Sequence, residues 1–168
     1  MVAKALSVYV LCDGRLIVGL AASERVFSGW FDEFFREGFN VHWSRGDHCM
    51  TEYKLKDDVV LPSGVDPALV RPRFTMHAVL VKNAQPHEKI YVPVPGARDW
   101  RFPGDEDKPV DESQAAAVWA PMGRGFVAYC GDLHVDEYAV DLILALCGFK
   151  QREVHPSGQE DAVMGESP

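Results

Sequence analysis

The sequence predicts an α/β fold whose core is a mainly parallel sheet flanked by helices. Three observations predict it. An apolar run, Arg15 to Leu20, follows Gly14. Two strand-like segments, Ala115–Ala120 and Phe126–Cys130, are joined by the turn residues Pro121-Met122-Gly123-Arg124-Gly125, which reads as a hairpin. Beyond the hairpin, Val135, Ala139, Leu142, Ile143 and Leu146 recur at helical spacing, with Asp136 and Glu137 in the first turn and Gly148 as the stop.

The first segment admits two readings. Leu6, Val8 and Val10 alternate as in a strand ahead of an Asp13-Gly14 turn, or the same residues form a helix that stops there. Ser28 opens a short helix to Gly38 with Trp30, Phe31, Phe34 and Phe35 gathered on one side. Val41-His42-Trp43 and Met50–Leu55 read as short strands around the polar turn Ser44–Asp47, and Met76–Val81 as a more buried one. Ile90–Pro95 is extended. Its two prolines remove ladder donors and place it at a sheet edge or outside the sheet. A loop of 17 residues, Gly96 to Glu112, is long enough to serve as a lid. Residues 1–150 thus form a single α/β domain, and residues 151–168, where apolar positions thin out, form a disordered tail.

Composition narrows the classes of function. The chain has 168 residues and a formal net charge of -8, a field that repels a phosphate backbone, so nucleic-acid binding is not expected. No run approaches the roughly 20 apolar residues of a membrane span, and the first residues lack signal-peptide architecture, which leads to a cytoplasmic expectation with no membrane partner. Cys12, Cys49, Cys130 and Cys147 form no CxxC pair, so neither a zinc ribbon nor a redox dithiol is spelled out, and reduced, mostly buried thiols are expected. No cofactor and no metal are expected.

Two blocks resemble the class I glutamine-amidotransferase-like (ThuA-like) family. Gly14-Arg15-Leu16-Ile17-Val18-Gly19-Leu20-Ala21-Ala22 is similar to its helix-end, glycine, strand and tight-turn segment, and Gly123–His134 to its Gly-x-Gly-Arg-Val-x-Tyr…Gly-His block. The resemblance implies the helix reading of the first segment, a three-layer fold, and the absence here of the family's leading half. A sheet without those strands exposes an edge, and the expected remedy is a homodimer. Where the family's amidotransferases carry a cysteine nucleophile on a strand-to-helix elbow, this chain has Leu20-Ala21-Ala22-Ser23, so glutaminase activity is not expected.

The chemistry-bearing residues form two clusters. Asp132 and His134 follow a strand end, where open α/β sheets build sites, and an imidazole beside a carboxylate can act as acid or base. The same Asp132 can instead cap the helix. His42, Asp47 and His48 sit on a turn between strands, either as site or as solvent-facing polarity. His134, Asp132 and His48 are the catalytic candidates. Trp100, Phe102, His42 and Asp47 are the candidates to contact a small-molecule substrate in a hydrolase, isomerase or cyclase, the alternative being a non-catalytic binding or assembly module. His77, on a buried strand, reads as a core histidine.

Overall fold

The structure, a computed structural model, describes residues 2–19, 29–101 and 108–150. In chain order it comprises α1 (Val2–Leu11), β1 (Arg15–Val18), α2 (Phe31–Phe39), β2 (Ser44–Leu55), β3 (Arg73–Lys82), β4 (Lys89–Pro93), β5 (Ala117–Met122), β6 (Gly125–Cys130) and α3 (Glu137–Cys147). The proposed tail, Ser28, Phe102 and the Leu20–Ser23 elbow lie outside the described residues.

The six strands make one sheet in the order β1-β6-β5-β4-β2-β3. Only β1 and β6 run parallel; the other four pairings are antiparallel. The mainly parallel three-layer sheet expected from the sequence is therefore wrong. Parallel neighbours need a crossover of a dozen or more residues, usually a helix. Here α1, α2 and α3 are the only α-helices among the described residues, and none lies between β2 and β3, β4 and β5, or β5 and β6.

The sheet also curls into a half-barrel. Beyond β6 the chain turns back on the edge strand β3, with Val79 N–H donating to Gly131 O (2.9 Å) and Leu133 N–H to His77 O (2.9 Å). Ala115, just before β5, exchanges bonds with Val81 of the same strand (2.8 and 3.1 Å). Gly131 is what permits the approach, because a Cβ there would stand 2.1 Å from Val79 O.

Both faces of the sheet are buried. On one, Tyr53, Phe74, Met76, Leu80, Tyr91 and Ala128 pack with Leu142 and Leu146 of α3. On the other, Val81, Val118, Val127 and Tyr129 pack with Val10 of α1 and with Phe31, Phe35 and Phe39 of α2. The i, i+4 spacing of the three phenylalanines makes one apolar stripe on α2. That helix runs past Gly38 and ends at Asn40, which takes the left-handed conformation (φ 54).

Three local expectations are corrected. Ser44–Asp47 is no free turn, because β2 continues through it with a bulge between Arg45 and His48. β4 is an interior strand between β2 and β5; its proline costs little, since Pro93 is its last residue. Helix α3 starts at Glu137 instead of Val135, which is 49% exposed with a φ of 59.

Candidate functional site

Strand periodicity places the first two members of the site. Along β3, Phe74, Met76, Ala78 and Leu80 enter the core cluster, so His77 stands on the opposite face. On β2, Met50 pairs with His77 and His48 with Val79, so His48 lies diagonal to His77 on that same face. Their rings stack, with centroids 4.5 Å apart and planes 12° from parallel.

The third member arrives through the curl. Because Leu133 is bonded to His77 O, the next side chain, His134, falls over the His77 ring, with centroids 4.7 Å apart. The atoms His77 Nδ1 and His134 Nε2 are separated by 2.6 Å. One of the two nitrogens carries the proton of that contact, and His77 Nε2 is buried without a hydrogen-bond partner. Burial, then the neighbouring charges of His48, His134 and Arg101, push the His77 pKa below its ordinary value, against a smaller opposite pull from Asp99.

Asp132 is 1% exposed, and its carboxylate accepts from the backbone N–H of His134 (3.4 Å) and of Asp136 (3.0 Å). Burial raises its pKa against those bonds. This geometry is that of a loop clamp. It spans Val135, whose left-handed backbone costs a β-branched residue about 1–2 kcal/mol, and so fixes the exposed His134. Strain of this kind beside a titratable side chain is a common property of functional loops.

Opposite β3, the first limb of the Gly96–Glu112 loop lies along β2. Trp100 N–H donates to Met50 O (2.8 Å), and Asp99 accepts from Met50 N–H (3.0 Å) and from Arg101. Burial alone would raise Asp99, but the bonds from Arg101 and from the Met50 backbone outweigh it and hold it low. The two limbs pair with each other, Asp99 N–H to Lys108 O (3.0 Å) and Val110 N–H to Ala97 O (3.0 Å). The void between this loop and His48 is about 20 Å³, room for about one water.

The sequence-derived candidates divide accordingly. His48 and His134 come together around His77, which sequence reasoning assigned to the core. Asp132 supports them through backbone. Trp100 is half exposed at the loop base. His42 is exposed on the coil before β2. Asp47 is drawn the other way, accepting from Gln114 Nε2 (2.6 Å) and Lys82 Nζ (3.1 Å), and its backbone N–H donates to Gln114 Oε1 (2.8 Å). These bonds outweigh burial and lower its pKa. Among the described residues no group of three or more His, Cys, Asp or Glu is arranged to hold a metal ion. All four cysteines are free; burial pushes the Cys130 thiol up to about 12 and raises Cys49, so neither is a ready thiolate. No helix among the described residues is long and apolar enough to cross a membrane.

No family model matches the chain, and no curated protein matches it either. Among solved structures it is similar to a β-galactosidase from Bacillus circulans sp. alkalophilus, at 12% identity and a TM-score of 0.51 over 86% of this chain. The fold is thus like that of a segment of a β-galactosidase chain. A β-galactosidase from Rahnella sp. gives 14% identity and a TM-score of 0.47 over 87%. The chain spans about a fifth (20%) of the length of each. These neighbours lend nothing to the ThuA-like or amidotransferase-like assignment, and the topology contradicts the α/β architecture that came with it.

Proposed function

We propose that the chain is a small-molecule enzyme of the acid–base type, of hydrolase or isomerase class, whose reacting pair is His134 and His77. The observation that carries the reading is the 2.6 Å contact between His77 Nδ1 and His134 Nε2. When neutral His134 donates through Nε2, its Nδ1 is left as a base open to solvent; once that Nδ1 has taken a proton from the substrate, the imidazolium is the acid that returns it. One pair therefore offers both roles. His48 braces the His77 ring, and Asp132 holds the loop that presents His134. Glycosides enter as a candidate substrate class from the β-galactosidase likeness. Glycoside hydrolysis, however, ordinarily uses two carboxyl groups flanking the bond, and here Asp99 is engaged by Arg101 and Asp132 by backbone, which favours substrates cleaved or rearranged by imidazole. The test is turnover of chromogenic esters, glycosides and phosphomonoesters by the full chain and by His134→Ala and His77→Gln. Turnover lost in both variants, with circular dichroism unchanged, is the expected result. Turnover that survives both, or none in the wild type, defeats the reading.

A second reading, an assembly module forming a homodimer, rests on α1, where Val2, Val8, Tyr9 and Leu11 are 46–73% exposed and Lys4 is the only charged residue. A twofold pairing of this face would bury these four apolar side chains against their symmetry mates. Light scattering checks it: a dimer mass that Val8→Glu converts to a monomer is expected, and a monomer mass at every concentration rules it out.

A further inference from the structure

A second cleft has no part in the histidine cluster. Its volume is about 360 Å³, within the range of about 300–1,000 Å³ typical of ligand pockets. Asp13, Arg15, Ser63, Trp119, Arg124 and Phe126 are among its walls.

Arg15 is fixed there with unusual economy. Its guanidinium lies 5.7 Å from the centre of the Phe126 ring and donates to Leu146 O and Ser63 O, each over a long 3.3 Å. Gly64 (φ +78) and Gly148 (φ +92) let two loops close around it, because a Cβ at either would stand 2.8 or 2.4 Å from an Arg15 nitrogen. Among the described residues Arg15 makes no ion pair, and Arg124, exposed on the β5–β6 turn, makes neither an ion pair nor a guanidinium hydrogen bond. The cleft is thus lined by two arginines and one carboxylate, that of Asp13, in a chain whose net charge is -8. An anion supplies the missing partner. Trp119 and Phe126 form an edge-to-face pair (5.9 Å, 81°), and the indole is anchored by its Nε1–H to Val60 O (2.8 Å). They offer a rigid apolar wall.

From this we infer a binding site for a small organic carboxylate with a planar apolar body, the carboxylate between Arg15 and Arg124 and the ring against Trp119 and Phe126. The inference is independent of the reaction proposed above. Benzoate is the probe, with neutral benzamide and inorganic phosphate as comparators, followed by NMR at the Trp119 indole N–H and the amides of residues 123–126. Saturable benzoate shifts are expected there. Benzamide should bind about tenfold more weakly, a charge-assisted hydrogen bond being worth that much, and Arg124→Gln should weaken benzoate by a similar factor. Arg124→Lys, which keeps the charge and loses the fork, should fall between. Benzoate that fails to saturate, benzamide or phosphate that binds as well, or Arg124→Gln without effect would each overturn the site.

Discussion

β6 connects two regions of opposite character. At its first residue lies the arginine cleft, about 360 Å³ of space lined by Arg15, Arg124 and Asp13 and by no histidine. Beyond its last residue, roughly 17 Å along the strand, lie three imidazoles at centroid distances of 4.5 and 4.7 Å beside a void of about 20 Å³. Packing perturbs His77, since burial and the close charges of its neighbours move a pKa when groups crowd together. The same crowding leaves a substrate only the exposed side of His134. The cleft has the reverse arrangement, in which space and permanent charge favour binding without proton transfer. A variant that affects one region and spares the other tests whether the two are separate.

The largest separation is expected from Gly131→Val. The added Cβ meets Val79 O at 2.1 Å, backbone against backbone, so the segment after β6 must leave β3 and take His134 with it. A loss of about 3 kcal/mol or more is expected, at the upper end of overpacking and broken-network effects. Urea unfolding measures it. Cross-peaks between the His77 and His134 rings should vanish while benzoate shifts at residues 123–126 persist. Loss of both would mean that the curl supports the cleft as well.

A smaller effect is expected at Asp132. Removing its carboxylate in Asp132→Ala leaves the N–H groups of His134 and Asp136 without their acceptor, at about 1–3 kcal/mol for a buried unsatisfied group. Asp132→Asn keeps one acceptor oxygen and should recover part of the loss. If Asp132→Asn is as unstable as the alanine variant, the negative charge itself holds the loop. If it is fully stable yet abolishes turnover of any substrate found, Asp132 belongs to the reaction, contrary to the clamp role its geometry gives it.

Much of the local structure was legible in the sequence because it is set by neighbours in the chain. The β5–β6 hairpin, the apolar stripe of α3 and its stop at Gly148 follow from alternation, turn residues and helical spacing. Strand direction was misread, although a signal was present: the stretches between β2 and β3, and between β4 and β5, carry no helical periodicity, so no crossover existed to make neighbours parallel. His77 was also within reach, since period-two counting from Phe74, Met76 and Ala78 places it on the other face. That it meets His48 and His134, both already candidates, was not. The register that sets His48 beside it is shifted by the bulge at Arg45, and the contact with His134 is made by the curl, which depends on pairing between residues more than fifty positions apart.

The smallest effect is a slope in stability with pH. In the folded chain the pKa of His77 lies below that of a solvated histidine, about 6.5. Between that value and the lower folded one, the unfolded chain binds a proton that the folded chain does not, so ΔG of unfolding rises with pH there. The stabilisation is complete above about pH 6.5 and is lost as the pH falls through the unfolded value toward the folded one. Asp132, raised by burial, acts in the opposite sense, between its raised folded pKa and the ordinary carboxylate value. Urea midpoints taken from about pH 7.5 down to about 5.5 should therefore decline in the wild type and decline less in His77→Gln. An equal decline in the variant would move the proton uptake to another histidine and remove the electrostatic half of the contrast. Benzoate affinity over the same interval should stay level, because arginine does not titrate there and the carboxylate remains ionised.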